Sequence, residues 1–239
     1  MPIPSNLILD LDDTIVDFSA SGGEAWARII PLFAARIGIP ADRLRDAVMT
    51  SSNRYWRDPD RHREGRLAQR LARRTYLRDA FRDLGLEGTD VADEMADTFS
   101  REREERVRPF DGALQALEKM RTAGARMVML TNGEAVLQRA KIERFSLAQF
   151  FDAILIEGET GFGKPSEQAY QAALSALNAA PSAVWMIGDD PAFDIAPARQ
   201  MGMRTAWIRG SESPDAEPGA DITANSLREL VEIWQSRPG

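Results

Sequence analysis

Two aspartates one residue apart, Asp10 and Asp12, close an apolar run in the stretch Asn6-Leu7-Ile8-Leu9-Asp10-Leu11-Asp12-Asp13-Thr14-Ile15-Val16. In a locally extended backbone alternate side chains share a face, so both carboxylates point the same way. Carboxylates held that close repel unless a cation lies between them or one carries a proton. The pair suits a hard divalent metal, or a nucleophile beside a general acid. A solvated turn after an edge strand would carry the same residues and do nothing, so partners elsewhere in the chain must decide.

Such partners recur. An apolar run over 126–130 ends in Thr131-Asn132-Gly133, and another over 183–187 ends in Gly188-Asp189-Asp190, with Asp194 four residues on. Lys164 lies in Gly161-Phe162-Gly163-Lys164-Pro165, where glycines allow close backbone approach and proline suits the first turn of a helix. Singly these are a strand-end hydroxyl, a surface lysine and a polar helix residue. Jointly, carboxylates, a hydroxyl and a lysine at successive strand ends make a set for handling a phosphoryl group.

The elements that must position them read as alternating strand and helix. Short strands are expected at 7–9, 126–130, 153–156, 183–187 and 205–208. Helices are expected at 22–37, 113–122, 134–145, 167–177, 195–201 and 227–234. Alternation of this kind predicts a parallel sheet of about five strands covered on both faces, with all strand ends along one edge. Between the first strand and Arg108 every segment reads as helical. Pro40 and Pro59 mark helix starts, and Gly85 with Gly88 marks an end. An all-α domain, residues 18–107, is therefore expected to interrupt a Rossmann-like α/β core formed by 1–17 and 108–239. A loop rich in Ser, Pro, Glu and Gly is expected over 210–220.

Composition narrows the chemistry. With no cysteine and one histidine, His62, the chain has no disulfide, no thiolate site and no Cys nucleophile, and a zinc site or Ser-His-Asp triad fits poorly. A formal net charge of −7 argues against general nucleic-acid binding. No window approaches the roughly 18 apolar residues of a membrane span, and no leader pattern precedes the first strand, so a cytoplasmic protein is expected. Against this acidic background, 54–82 holds ten arginines and four acids. Arg57, Arg61, Arg63 and Arg66, with Tyr55, Trp56 and His62 nearby, could read a second anion on a substrate or could be a solvated helix face.

On these motifs the chain resembles the haloacid dehalogenase-like hydrolase superfamily. The first motif stands as Asp10-Leu11-Asp12-Asp13-Thr14, the second as Thr131-Asn132, the third as Lys164, and the fourth as Gly188-Asp189-Asp190-Pro191-Ala192-Phe193-Asp194. The helical insert resembles the small cap of one branch. The resemblance implies a Mg²⁺-dependent phosphatase in which Asp10 is the nucleophile and Asp12 the general acid and base. Thr131 would hydrogen-bond a phosphoryl oxygen, Asn132 beside it is a further catalytic candidate, and Lys164 would offset charge on the nucleophile and the phosphoryl group. Mg²⁺ would be held by Asp10, the Asp12 carbonyl and Asp189, with Asp190 and Asp194 as further candidates at the metal. Of these two, Asp194 is the one expected to orient Lys164 and the metal shell; relatives often carry a small polar residue where Asp190 stands, which leaves the division of labour there open.

The expected partner is a small phosphomonoester, with no nucleic acid and no membrane, handled by a monomer or homodimer. A phosphomutase uses the same motifs and stays open. A metal-free 2-haloacid dehalogenase is disfavoured by Asp12, which those enzymes lack, and a non-catalytic binding module by the full set of motif residues.

Overall fold

The computed structural model describes residues 2–86, 90–209 and 219–236. Gly88 and most of the expected 210–220 loop lie outside the described residues. The chain divides into two compact units, Met1–Asp17 with Arg108–Gly239, and Phe18–Val107.

The first unit is a parallel sheet of six strands in the order β3-β2-β1-β4-β5-β6. The strands are β1 (Asn6–Leu9), β2 (Arg126–Thr131), β3 (Ala153–Ile156), β4 (Trp185–Gly188), β5 (Arg204–Ile208) and β6 (Ile222–Ala224). In register, Leu9 lies beside Met129 of β2 and Ile187 of β4. Ile8, Val128, Leu130 and Met186 share one face and pack with Tyr170, Ala173 and Leu177. Leu7, Leu9, Met127, Met129 and Ile187 alternate onto the other face and are equally buried. Burial on both faces explains why these strands read as continuous apolar runs. β6 is a sixth strand beyond the five expected. Its three residues, Ile-Thr-Ala, carry too little pattern to stand out, and it forms only by pairing with β5 at the sheet edge.

The second unit is all-helical: α1 (Ser19–Ile37), α2 (Ala41–Arg57), α3 (Pro59–Leu67), α4 (Gln69–Asp83) and α5 (Val91–Arg106). Pro59 occupies the first turn of α3, and the Asp58 carboxylate caps that helix through the amides of Asp60 and Arg61. Trp26 stacks on Phe99 at 3.9 Å, and Ile29, Leu44, Leu77, Phe81 and Met95 fill the interior. The core helices follow as α6 (Ala113–Thr122), α7 (Ala135–Arg144), α8 (Glu157–Thr160), α9 (Glu167–Leu177), α10 (Ala196–Gln200) and α11 (Leu227–Ser236). The helix expected at 195–201 forms as α10, and a π turn, Pro191–Ile195, leads into it.

The arginines singled out in the helical unit separate. Arg57, Arg61 and Arg63 are exposed. Arg61 lies 3.8 Å from the Asp58 carboxylate and over the Tyr55 ring, and Arg66 meets His62 Nδ1 at 3.2 Å. Tyr55 is buried and Trp56 packs beside it, so the aromatic pair belongs to the interior of this unit. Arg73, which nothing in the pattern distinguishes, is the buried one: Nη1 donates to Ser100 Oγ at 2.6 Å and the guanidinium lies over Phe99.

Candidate active site

The strand order changes direction between β1 and β4, and the carboxyl ends at such a switch point flank a crevice. Asp10 follows β1 and Asp189 follows β4. The Asp10 amide donates to the Ile187 carbonyl at 2.9 Å, carrying the sheet ladder one residue past the strand end. Asp10, Asp189 and Asp194 each offer a carboxylate oxygen, and those atoms lie within 4.8 Å of one another.

Lys164 is inserted into this group. Its Nζ donates to Asp10 Oδ1 and to Asp194 Oδ1, both at 2.6 Å, and the side chain is 3% exposed. The lysine is aimed by its own backbone. Asn132 Nδ2 donates to the Lys164 carbonyl at 2.7 Å while Asn132 Oδ1 accepts the Lys164 amide at 2.8 Å. Gly163 lets the two segments approach, since a Cβ there would stand 2.6 Å from Asn132 Oδ1. Asp194 is held in turn: its Oδ2 accepts the Asp190 amide at 3.0 Å, and a Cβ on Gly188 would come within 2.2 Å of its carboxylate. Glycine at 188 is therefore a space requirement for the buried carboxylate.

Asp190 points elsewhere. Its Oδ1 accepts the amides of Ala192 and Phe193 at 2.7 and 3.1 Å, so it caps the π turn that delivers Asp194. Asp189 accepts from Thr14 Oγ1 at 3.3 Å, and its carbonyl accepts from Trp207 Nε1 at 2.7 Å. Thr131 is buried, and its hydroxyl oxygen accepts from Gln138 Nε2 at 2.7 Å. The Asp12 carboxylate is turned toward α7, where Lys141 and Gln138 hold it. Neither α7 residue is apparent from motif spacing. The available signal was a Gln and a Lys three apart, hence on one helix face, directly after the second motif.

The electrostatics are unbalanced, with one ammonium among three carboxylates. Burial pushes the Asp10 carboxyl up from 3.8 to about 7, opposed by Lys164 and reinforced by Asp194 and Asp12. Burial likewise raises Asp189 from 3.8 to about 9, with the charges of Asp10, Asp194 and Asp13 adding to it. Asp194 is also raised by burial against the pull of Lys164. For Lys164 burial acts downward, but the two carboxylates outweigh it and hold the ammonium above its ordinary value. An all-oxygen donor set with surplus negative charge is what a hard divalent cation neutralises. The residues present fit such an ion.

A family model for haloacid dehalogenase-like hydrolases matches residues 5–202, a range that holds Lys164 and all of the carboxylates described above. The chain belongs to the haloacid dehalogenase-like hydrolases. Among known members of that family, a phosphoserine phosphatase of Thermus thermophilus is 36% identical over 159 residues, covering 66% of this chain and 63% of that protein. Among solved structures, the HAD-hydrolase YfnB of Bacillus subtilis, bound to magnesium, superposes with a TM-score of 0.74 at 22% identity, covering 97% of this chain and 98% of that one. A 2-haloacid dehalogenase from Pseudomonas syringae pv. Tomato gives a TM-score of 0.64 at 26% identity, covering 97% and 98%. The family fold thus hosts both phosphatases and dehalogenases, and the side chains must separate them. Among the described residues no helix is long and apolar enough to cross a membrane.

Proposed function

We propose that this hydrolase is a Mg²⁺-dependent phosphatase of small phosphomonoesters that works through an aspartyl-phosphate on Asp10. The observation that carries the reading is the group of buried Asp10 and Asp194 with half-buried Asp189, set around the ammonium of Lys164. A metal-free displacement of halide has no use for that surplus of carboxylates. The likeness to a phosphoserine phosphatase supports the substrate class.

In the first half-reaction an Asp10 oxygen attacks phosphorus. The bond from phosphorus to the leaving oxygen breaks as Asp12 passes its proton to that oxygen, and the alcohol departs. In the second, water attacks the aspartyl-phosphate and gives its proton to the Asp12 carboxylate. Phosphate leaves and the Asp10 carboxylate is restored. Lys164 offsets charge on the nucleophile and the phosphoryl oxygens, Thr131 donates its hydroxyl to one of those oxygens, and Asn132 keeps Lys164 in place. Mg²⁺ would be held by the carboxylates of Asp10 and Asp189 and the Asp12 carbonyl, with Asp194 orienting Lys164 beside them. The ion would supply neutralisation of the charge shared by nucleophile and phosphoryl group.

The test is phosphate release from a panel of small phosphomonoesters with Mg²⁺, repeated in excess chelator and after Mg²⁺ is restored. Activity should vanish with the chelator and return with the ion. Halide release from a 2-haloacid in chelator would replace this reading with the dehalogenase one. Phosphate moved within a sugar phosphate without release would make the enzyme a mutase.

A further inference from the structure

Asp12 is the group on which both half-reactions turn, yet its carboxylate is docked on α7. Lys141 Nζ donates to Asp12 Oδ1 at 2.5 Å and to Oδ2 at 2.6 Å, with 10% of the lysine side chain exposed. One turn earlier Gln138, 1% exposed, directs Nε2 at Asp12 Oδ2 (3.0 Å), Thr131 Oγ1 (2.7 Å) and the Asn132 carbonyl (2.7 Å). Two N–H bonds thus serve three acceptors, while Gln138 Oε1 is buried without a partner. The amide is fixed in this sense because, turned over, its oxygen would face a carboxylate.

We propose that Lys141, assisted by Gln138, is a positioning residue of the reaction, acting through Asp12. This rests on the phosphatase reading. Three features carry it. Lys141 and Gln138 lie three residues apart and so present one helix face to the first motif. Their hydrogen bonds reach two motifs, with Asp12 in one and Thr131 and Asn132 in the other, so α7 sets the distance between the proton-transfer group and the phosphoryl-binding hydroxyl. And Lys141 Nζ touches both oxygens of Asp12 while Gln138 Nε2 reaches one of them, so the carboxylate is held from two separate side chains. A proton-transfer group must stand within hydrogen-bond reach of the oxygen it serves, and a displacement of about 1 Å can cost roughly a hundredfold.

The experiment compares Lys141→Met, which keeps length without charge, with Lys141→Arg, Asp12→Asn and the Lys141→Met/Asp12→Asn double variant. Phosphate release is read with Mg²⁺ on para-nitrophenyl phosphate, whose leaving group needs little protonation, and on glycerol 2-phosphate, whose alkoxide needs it. Lys141→Met should lower kcat on glycerol 2-phosphate by about ten- to a hundredfold, and less on the aryl ester, with KM for both within about twofold of wild type. Lys141→Arg should recover most of the loss. In the Asp12→Asn background Lys141→Met should cost nothing further, because residues acting as one unit are not additive. The rise in Tm on adding Mg²⁺ should match wild type in Lys141→Met, since the metal ligands are untouched.

Losses that multiply in the double variant, equal losses on the two esters, or a raised KM at unchanged kcat would each overturn the proposal. Should Lys141→Met fail to fold, Lys141→Gln is read by the same criteria. A wild-type protein that releases phosphate from neither ester fails the phosphatase reading itself, which is distinct from an active wild type matched by an equally active Lys141→Met.

Discussion

Two regions of this chain set basic side chains against carboxylates, and they treat charge in opposite ways. On the helical unit, Arg70, Arg74 and Arg78 of α4 meet Glu104, Asp97 and Asp93 of α5 in an antiparallel ladder, one cation to one anion. Arg78 is 58% exposed there, whereas Lys164 at the sheet edge is 3% exposed and serves two carboxylates with a third nearby. The ladder is balanced, solvated and screened, and little in the fold depends on any rung. The sheet-edge group is out of water and out of balance, so each member raises or lowers the proton affinity of the others. Surplus buried charge costs stability, and such groups persist where chemistry needs them. Within the arginine-rich stretch, Arg70, Arg74 and Arg78 each pair with a single carboxylate near solvent, whereas Lys164 joins two buried ones.

Removing the nucleophile should widen that contrast most. Asp10→Asn should lower turnover by about 10⁴- to 10⁶-fold, the scale seen when a covalent nucleophile is deleted. Measurable covalent turnover in a clean preparation would take Asp10 out of the mechanism.

Next comes Lys164→Met. It leaves the buried carboxylates of Asp10 and Asp194 without their cation and should destabilise the chelated protein by about 3–5 kcal/mol in denaturant titration. A midpoint equal to wild type would show that the buried pairs are no stronger than the surface ladder.

The pH dependence of stability gives the third test. Asp10 and Asp189 hold protons more tightly folded than unfolded, their values rising from 3.8 to about 7 and about 9. Their contribution is therefore full below the unfolded value of 3.8 and is lost as pH rises from there through the folded values, by at most about 1.4 kcal/mol per pH unit per group. In chelator, Tm should fall between pH 5 and 9, and the stabilisation by Mg²⁺ should grow over the same range. Parallel curves with and without the ion would refute the unbalanced site.

Asp190→Ala should be milder, costing about 1 kcal/mol through loss of the cap on the π turn, with turnover reduced only severalfold. A loss of turnover as large as that of Asp10→Asn would instead put Asp190 on the metal. Last, Arg78→Ala should leave both Tm and turnover unchanged, which marks the silent end of the comparison.

Much of the site was legible before any coordinates. Apolar runs ending in Asp10, Thr131 and Asp189 announce strand ends, and parallel strands put those ends on one edge whatever the loop lengths between them. The locations of Asp190 and Asp194 were less legible. Both follow the same strand and both are acidic, but a tight π turn capped by Asp190 swings only Asp194 back over Gly188. The family resemblance favours Asp194 as the residue that orients Lys164, but the π turn has no strong periodic signature, so the capping role of Asp190 is visible only in the folded backbone. The strand β6 escaped for a related reason, since its three residues gain their hydrogen bonds only from β5.

What the residues determined alone is the alternation of strand and helix, the all-helical insert after β1, and the set of side chains delivered to the sheet edge. These follow from local periodicity and from the short reach of strand-end residues. What the tertiary structure decided is who meets whom across sequence distance. Lys164 chooses Asp10 and Asp194 because Asn132 clamps its backbone, and Asp12 turns to Lys141, 129 residues away, because α7 packs beside the first motif. Sequence spacing carries no record of such pairings, for a buried charge selects its partner by the packing that removes water from around it.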